Sequence, residues 1–257
     1  MKRFSANLGF LWVHLDLLQR IESAGRAGFG AVELHWPYDT PALDVRQACV
    51  DAGVELLSLN SPLGDTSTGE FGLAVLSERR EAFQESFLKA ADYVNSAGAR
   101  ALHVMAGLAP NNASTREVLI ENLRWAEAQA PGLTILLEPL NNFDKPGYFY
   151  HLPEQAVQII NDGALVQTKL MFDAYHVGRE GLGPEREYKR FAQHIAHIQI
   201  AAVPHRMEPY GGQVDLGKFL SYITEQGYDG FIGCEYIPER TVEAGLERLR
   251  QFSKMLG

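Results

Sequence analysis

TILLEP, residues 134–139, decides how this chain is read: apolar and β-branched residues run together and then stop at Glu138 and Pro139. A short continuous apolar run of that kind fits a strand covered on both faces, as in a parallel sheet, with a polar residue where the strand reaches an edge. The pattern returns as KLMFD at 169–173, HIQI at 197–200 and FIGCE at 231–235. Upstream, shorter runs at 3–8, 31–34, 55–59 and 101–105 bring the candidate strands to eight. Segments with apolar residues recurring every three or four positions separate them, notably 15–27, 78–97, 114–130 and 216–226. Gly28, Gly53, Gly98 and Gly227 stand just beyond helical segments, where C-caps favour glycine. GFGAVE at 28–33 is echoed by GYDGFIGCE at 227–235, each a short strand ending in Glu. Strand followed by helix, repeated along the chain, predicts an α/β fold: a (β/α)8 TIM barrel forming one domain over residues 1–257. An open doubly wound sheet would place a Gly-rich phosphate turn after its first strand, and SANLGFLW at 5–12 has no G-x-G-x-x-G.

Composition narrows the function. The 46% hydrophobic content is spread evenly, with no Pro/Gly/Ser-rich linker or charge block to divide the chain. A formal charge of −9 argues against a nucleic-acid partner, because phosphate binding rests on clustered Lys and Arg. A small-molecule substrate fits better. Cys49 and Cys234 sit in apolar or helical surroundings and read as reduced core thiols, which sets the expected location as cytoplasmic. Asn7, His14 and Asp16 interrupt any signal-peptide core, and no stretch has the roughly 18 apolar residues of a membrane span. P-loop, H-E-x-x-H and G-x-S-x-G motifs are absent, and a homo-oligomer stays open.

Four predicted strands end in or near an oxygen donor: Glu138, Asp173, Gln199 and Glu235. In a parallel barrel the strand C-termini share one rim, so residues far apart in sequence can meet there. Carboxylates following apolar runs would be costly to bury and would repel one another without a cation. Three carboxylates and an amide oxygen make a hard, all-oxygen set suited to Mg²⁺ or Mn²⁺, with Co²⁺ also admitted. The bland reading of any one of them is a helix cap, a surface ion pair or a solvated loop residue. For Gln199 it is an amide bonded to neighbouring backbone. Glu70 falls in the long 61–77 connection, which could fold over a pocket as a lid, or could simply be a solvated loop. His103 reads as a core histidine rather than a ligand.

The opening SANLGFLW, GFGAVELHWPYD at 28–39, HVMAGL at 103–108, EPLNNFDKPGYF at 138–149, FDAYH at 172–176 and HIQIA at 197–201 resemble the hydroxypyruvate isomerase family. That family lies within the xylose-isomerase-like barrels and includes the 2-oxo-tetronate isomerases. The resemblance implies an intramolecular oxidoreductase of the aldose–ketose type acting on a small hydroxy-keto acid. It implies that Glu138 and Glu235 are both metal ligands and the acid/base pair, with Asp173 and Gln199 completing the coordination. His176 and Arg206 would donate to substrate oxygens, and Asp144 would bind substrate, although Asp144 could equally end a turn before Lys145. The family pattern has an acid where Ala202 stands, another at Gln213 and a Gly at His205, on a loop expected near the substrate. Those departures leave the substrate open. A ketose C3-epimerase using the same enediolate chemistry is the alternative reading, sugar-like substrates included. An apurinic endonuclease-like hydrolase shares the Asp173–His176 spacing, but Gln199 stands where a zinc cluster would need His. A non-catalytic ligand-binding barrel would not need the Glu138 and Glu235 pair.

Overall fold

The computed structural model describes residues 1–254. Eight strands, β1 (Phe4–Asn7), β2 (Ala31–Leu34), β3 (Glu55–Asn60), β4 (Ala101–His103), β5 (Thr134–Leu137), β6 (Thr168–Asp173), β7 (Ile195–Ile200) and β8 (Ile232–Cys234), close in sequence order. Every neighbouring pair is parallel, including β1 with β8. The predicted (β/α)8 barrel is therefore the fold. The strand at 101–105 is shorter than expected, because Ala106 leaves the barrel to bridge Gly72 in the 61–77 connection.

The outer layer comprises α1 (Leu17–Ala27), α2 (Ala42–Ala52), α3 (Arg80–Ala97), α4 (Ala113–Gln129), α5 (Pro153–Asp162), α6 (Ala174–Arg179), α7 (Pro184–Phe191), α8 (Leu216–Glu225) and α9 (Val242–Ser253). Local chemistry sets their ends. Asp16 accepts from Gln19 N, Asp215 from Lys218 N, and Asn112 with Thr115 forms a capping box. Gly28 and Gly53 close α1 and α2 in the left-handed region, which L side chains avoid. After β6 two helices replace one: Gly181 takes φ 74° and Pro184 opens α7 at its first turn, breaking the segment in two. α1 and α2 cross so closely that a Cβ on Gly25 would stand 2.5 Å from the Ala52 carbonyl oxygen.

The main core lies between sheet and helices, where Phe4, Leu59, Leu102, Ile135, Leu137, Leu170, Ile198, Ile200 and Ile232 are fully buried. Alternation along each strand turns the intervening residues into the barrel. Towards its N-terminal end that interior mixes an apolar side, where Ala101, Leu136 and Met171 pack together as a separate cluster, with buried Ser5, Ser58 and His197. Two residues further along the same strands stand His103, Glu138 and Asp173, all buried. On β4, β5 and β6 the period of the strand thus stacks polar groups on apolar ones. Among the described residues no helix is long and apolar enough to cross a membrane.

Candidate active site

Each predicted donor sits at the C-terminal rim. Asp173 ends β6, Glu138 and Glu235 follow β5 and β8 by one residue, and Gln199 lies next to last in β7. The β6–β7 register pairs Asp173 with Gln199, and the β7–β8 register pairs Gln199 with Gly233, so the strands deliver these positions side by side. All four side chains are buried. Asp173 also caps α6, accepting from Tyr175 N at 2.8 Å through Oδ1, which leaves Oδ2 for the centre.

One ligand atom each from Glu138, Asp173 and His176 falls within 4.8 Å of the others. His176 Nε2 stands 3.6 Å from both Glu138 Oε1 and Asp173 Oδ2. Arg206 enters the same centre: its Nη2 lies 2.9 Å from Glu235 Oε2 and 3.3 Å from Asp173 Oδ2, and its Nη1 3.2 Å from His176 Nε2. The guanidinium is held between the Phe10 and Tyr175 rings, at 4.8 and 4.7 Å from their centroids. Asp144, partly exposed, approaches Arg206 Nη1 at 3.7 Å. Glu70 pairs with Arg79 at 2.8 Å and accepts from Asp65 N, tying the 61–77 connection to the turn that precedes α3.

The sequence reading gave no site role to several residues that the fold brings here. His35 Nε2 lies 3.3 Å from Glu235 Oε1, and the ring lines a cleft of about 340 Å³ with Gly9, Leu34 and Trp36. His103 Nδ1, expected to be a core group, lies 3.5 Å from Glu138 Oε2 and 3.1 Å from Asn60 Oδ1. Glu33 and His197 form a buried pair at 3.1 Å beneath Gln199. Glu33 was legible only as a strand-ending acid, and His35 only as the residue two places on, on the same strand face. Of the three departures on the loop after β7, Ala202 is buried and accepts from Arg206 N through its carbonyl, whereas His205 and Gln213 are exposed.

Crowding of like charge divides the carboxylates. Burial, then Glu235 and Asp173, push Glu138 well above the ordinary carboxylate range. Burial likewise raises Asp173, to about 7, against the pull of Arg206. For Glu235 burial is outweighed by Arg206 and His35, which hold it down at about 2. Burial keeps His103 and His176 neutral, and Arg206 further lowers His176.

The donor set fits a divalent cation. Glu138 Oε1 and Gln199 Oε1 are hard oxygens, buried with no hydrogen-bond donor among the described residues, and Gln199 is the register partner of Asp173. Two buried oxygens without donors beside mutually repelling carboxylates are what a cation would satisfy.

Comparison with known proteins agrees with the barrel fold. The family description "Xylose isomerase-like TIM barrel" matches residues 21–252. The chain is 34% identical over 251 residues to the hydroxypyruvate isomerase of Escherichia coli, covering 96% of this chain and 97% of that one. It is 36% identical over 257 residues to the 2-oxo-tetronate isomerase of Cupriavidus necator, covering 98% and 99%. Among solved structures, one described as AP endonuclease, family 2 from Brucella melitensis superposes with a TM-score of 0.92 at 32% identity, over 98% of this chain and 99% of that one.

Proposed function

The chain belongs to the xylose isomerase-like TIM barrel family, and from that premise we propose that it is a divalent-metal-dependent isomerase of a small hydroxy-keto acid, of the hydroxypyruvate or 2-oxo-tetronate type. The observation that carries the reading is the meeting of the buried Glu138, Asp173, Gln199 and Glu235 at the C-terminal mouth, where the Arg206 guanidinium faces Asp173 and Glu235. Glu138, Asp173, Gln199 and Glu235 would hold the cation, Mg²⁺ or Mn²⁺ by the hardness of the donors. When bound, it supplies Lewis acidity that stabilises negative charge developing on adjacent substrate oxygens.

The reaction moves one proton from a carbon beside a carbonyl to its neighbour through an enediolate. Glu138 and Glu235 reach the centre from strands β5 and β8, on different sides of the barrel, and act as the acid/base pair that removes and returns that proton. Arg206 recognises the acid end of the substrate, because its planar fork pairs with a carboxylate and a neutral sugar gives it no such partner. Asp144 stands beside Arg206 and keeps the guanidinium oriented.

His176 acts as a donor to substrate oxygen rather than as a ligand. The backbone N–H of Asn141 points at His176 Nδ1 from 3.0 Å and can only donate, so Nδ1 accepts and the neutral ring carries its hydrogen on Nε2. A ligating histidine keeps its metal-facing nitrogen bare and donates with the other. With Nε2–H and Arg206 Nη1 only 3.2 Å apart, two donors converge on one place, which suits an anionic substrate oxygen. Phe10 and Tyr175 supply the apolar surroundings in which these interactions gain strength.

The test is incubation of the Mg²⁺- or Mn²⁺-loaded protein with hydroxypyruvate, 2-oxo-tetronates and ketoses in deuterated water. Deuterium entering the carbon next to the carbonyl of an acid substrate is the expected result. Exchange confined to ketoses would move the assignment to an epimerase, and no exchange with any of them would remove the isomerase reading.

A further inference from the structure

We propose that Glu33 is a positioning residue that sets the Gln199 side chain with its oxygen, not its nitrogen, towards the carboxylate centre. This rests on the reading above that Gln199 offers its carbonyl oxygen to the cation. The two ends of a carboxamide are nearly the same size, so packing cannot choose between them; hydrogen bonds must. An NH₂ group turned to a divalent ion would repel it.

Glu33 supplies the choice. Its carboxylate accepts from Ser5 Oγ on one oxygen, which also lies 3.1 Å from His197 Nε2, and from Gln199 Nε2 at 2.8 Å on the other. A carboxylate can only accept, so the opposite orientation of Gln199 would set oxygen against oxygen in a buried place. With nitrogen on Glu33, Gln199 Oε1 is left buried without a hydrogen-bond donor among the described residues, in the residue that is the register partner of Asp173.

The contact crosses the barrel. Glu33 belongs to β2 and Gln199 to β7, with β1 and β8 between them in the closed sheet. Gly233 of β8 leaves the passage open: a Cβ there would stand 2.6 Å from Glu33 Oε1 and 2.7 Å from Gln199 Cγ. Ser5 and Gly233 are register partners, and so are Gln199 and Gly233, so a hydroxyl, a bare backbone and an amide lie in one layer across which Glu33 reaches. Glu33 hydrogen-bonds Gln199 and none of the cluster carboxylates, which feel only its charge, so its orienting effect runs through Gln199.

Calorimetric titration of the metal-stripped full chain with Mn²⁺ alone tests this without recourse to turnover. Glu33→Met removes the acceptor at similar volume and is expected to weaken Mn²⁺ binding about ten- to a hundred-fold, the usual effect of losing a partner that orients a ligand. Glu33→Gln keeps one acceptor oxygen and is expected to weaken it several-fold, which decides the matter if the Met variant does not fold. Because Glu33 acts through Gln199, the Glu33→Met, Gln199→Leu double variant is expected to bind no more weakly than Gln199→Leu alone. Parent-like affinity in the Glu33 variants while Gln199→Leu binds weakly would overturn the positioning role, as would a double variant weakened by the product of the two. Parent-like affinity in Gln199→Leu would instead show that Gln199 is no ligand, and the proposal would fall with that reading.

Discussion

Replacing Arg206 with Met keeps the stem that packs between Phe10 and Tyr175 and removes the charge that Asp173 and Glu235 face at 3.3 and 2.9 Å. Both carboxylates are buried, with side-chain exposures of 0% and 6%, so solvent cannot take over from the guanidinium. Breaking a buried pair by removing one partner costs about 3–5 kcal/mol, chiefly because the remaining charge is stranded. For a chain of this size that is a fall in Tm on the order of 10 °C. The assay is thermal and urea unfolding of the metal-stripped Arg206→Met protein beside the parent. Mn²⁺ should stabilise both proteins, by about 2.7 kcal/mol at roughly one hundred times Kd, and should narrow the gap only to the extent that it binds the variant more tightly by neutralising the stranded carboxylates. A metal-stripped variant that melts with the parent would refute the reasoning that Arg206 compensates this cluster.

Glu138→Gln and Glu235→Gln should each lower the isomerisation rate by about 10²–10⁴-fold, measured by proton exchange at carbon, because each removes a proton carrier. The Tm should hold for Glu138→Gln, which relieves like-charge crowding, and fall for Glu235→Gln, which gives up the pairing with Arg206 that holds Glu235 ionised. Gly25→Ala should destabilise by about 1–3 kcal/mol in urea unfolding despite the gain in helix propensity, because its Cβ meets the Ala52 carbonyl at 2.5 Å, and a more stable variant would show that α1 and α2 can part. Burial pushes the Cys49 thiol up to about 11 and Cys234 well above its usual range, so neither is a thiolate at neutral pH. A disulfide reagent should therefore leave the native protein unmodified and react with both cysteines once denaturant is added.

The barrel and the rim donors were legible because their signals are local. An apolar run that stops at a carboxylate, as at TILLEP and FIGCE, states at once where a strand lies and where it ends. Position in the repeat then places Glu138, Asp173, Gln199 and Glu235 at one mouth, since parallel strands share a direction. Family resemblance brought Arg206 and Asp144 to the same place, and the fold puts both there. Glu70 was named for its loop, but loop length says nothing of which way a side chain turns, and its carboxylate is engaged by Arg79.

Sequence alone therefore determined the architecture and the rim positions of the acids, because period and strand ends are properties of neighbouring residues. Only the closed tertiary structure decided how those positions are charged and oriented. Arg206 enters between Asp173 and Glu235, Asn141 N–H assigns the His176 tautomer, and Glu33 reaches Gln199 across 166 residues of chain past a glycine. Hydrogen-bond direction and burial arise when distant strands are brought into contact, and no local pattern in the chain records them.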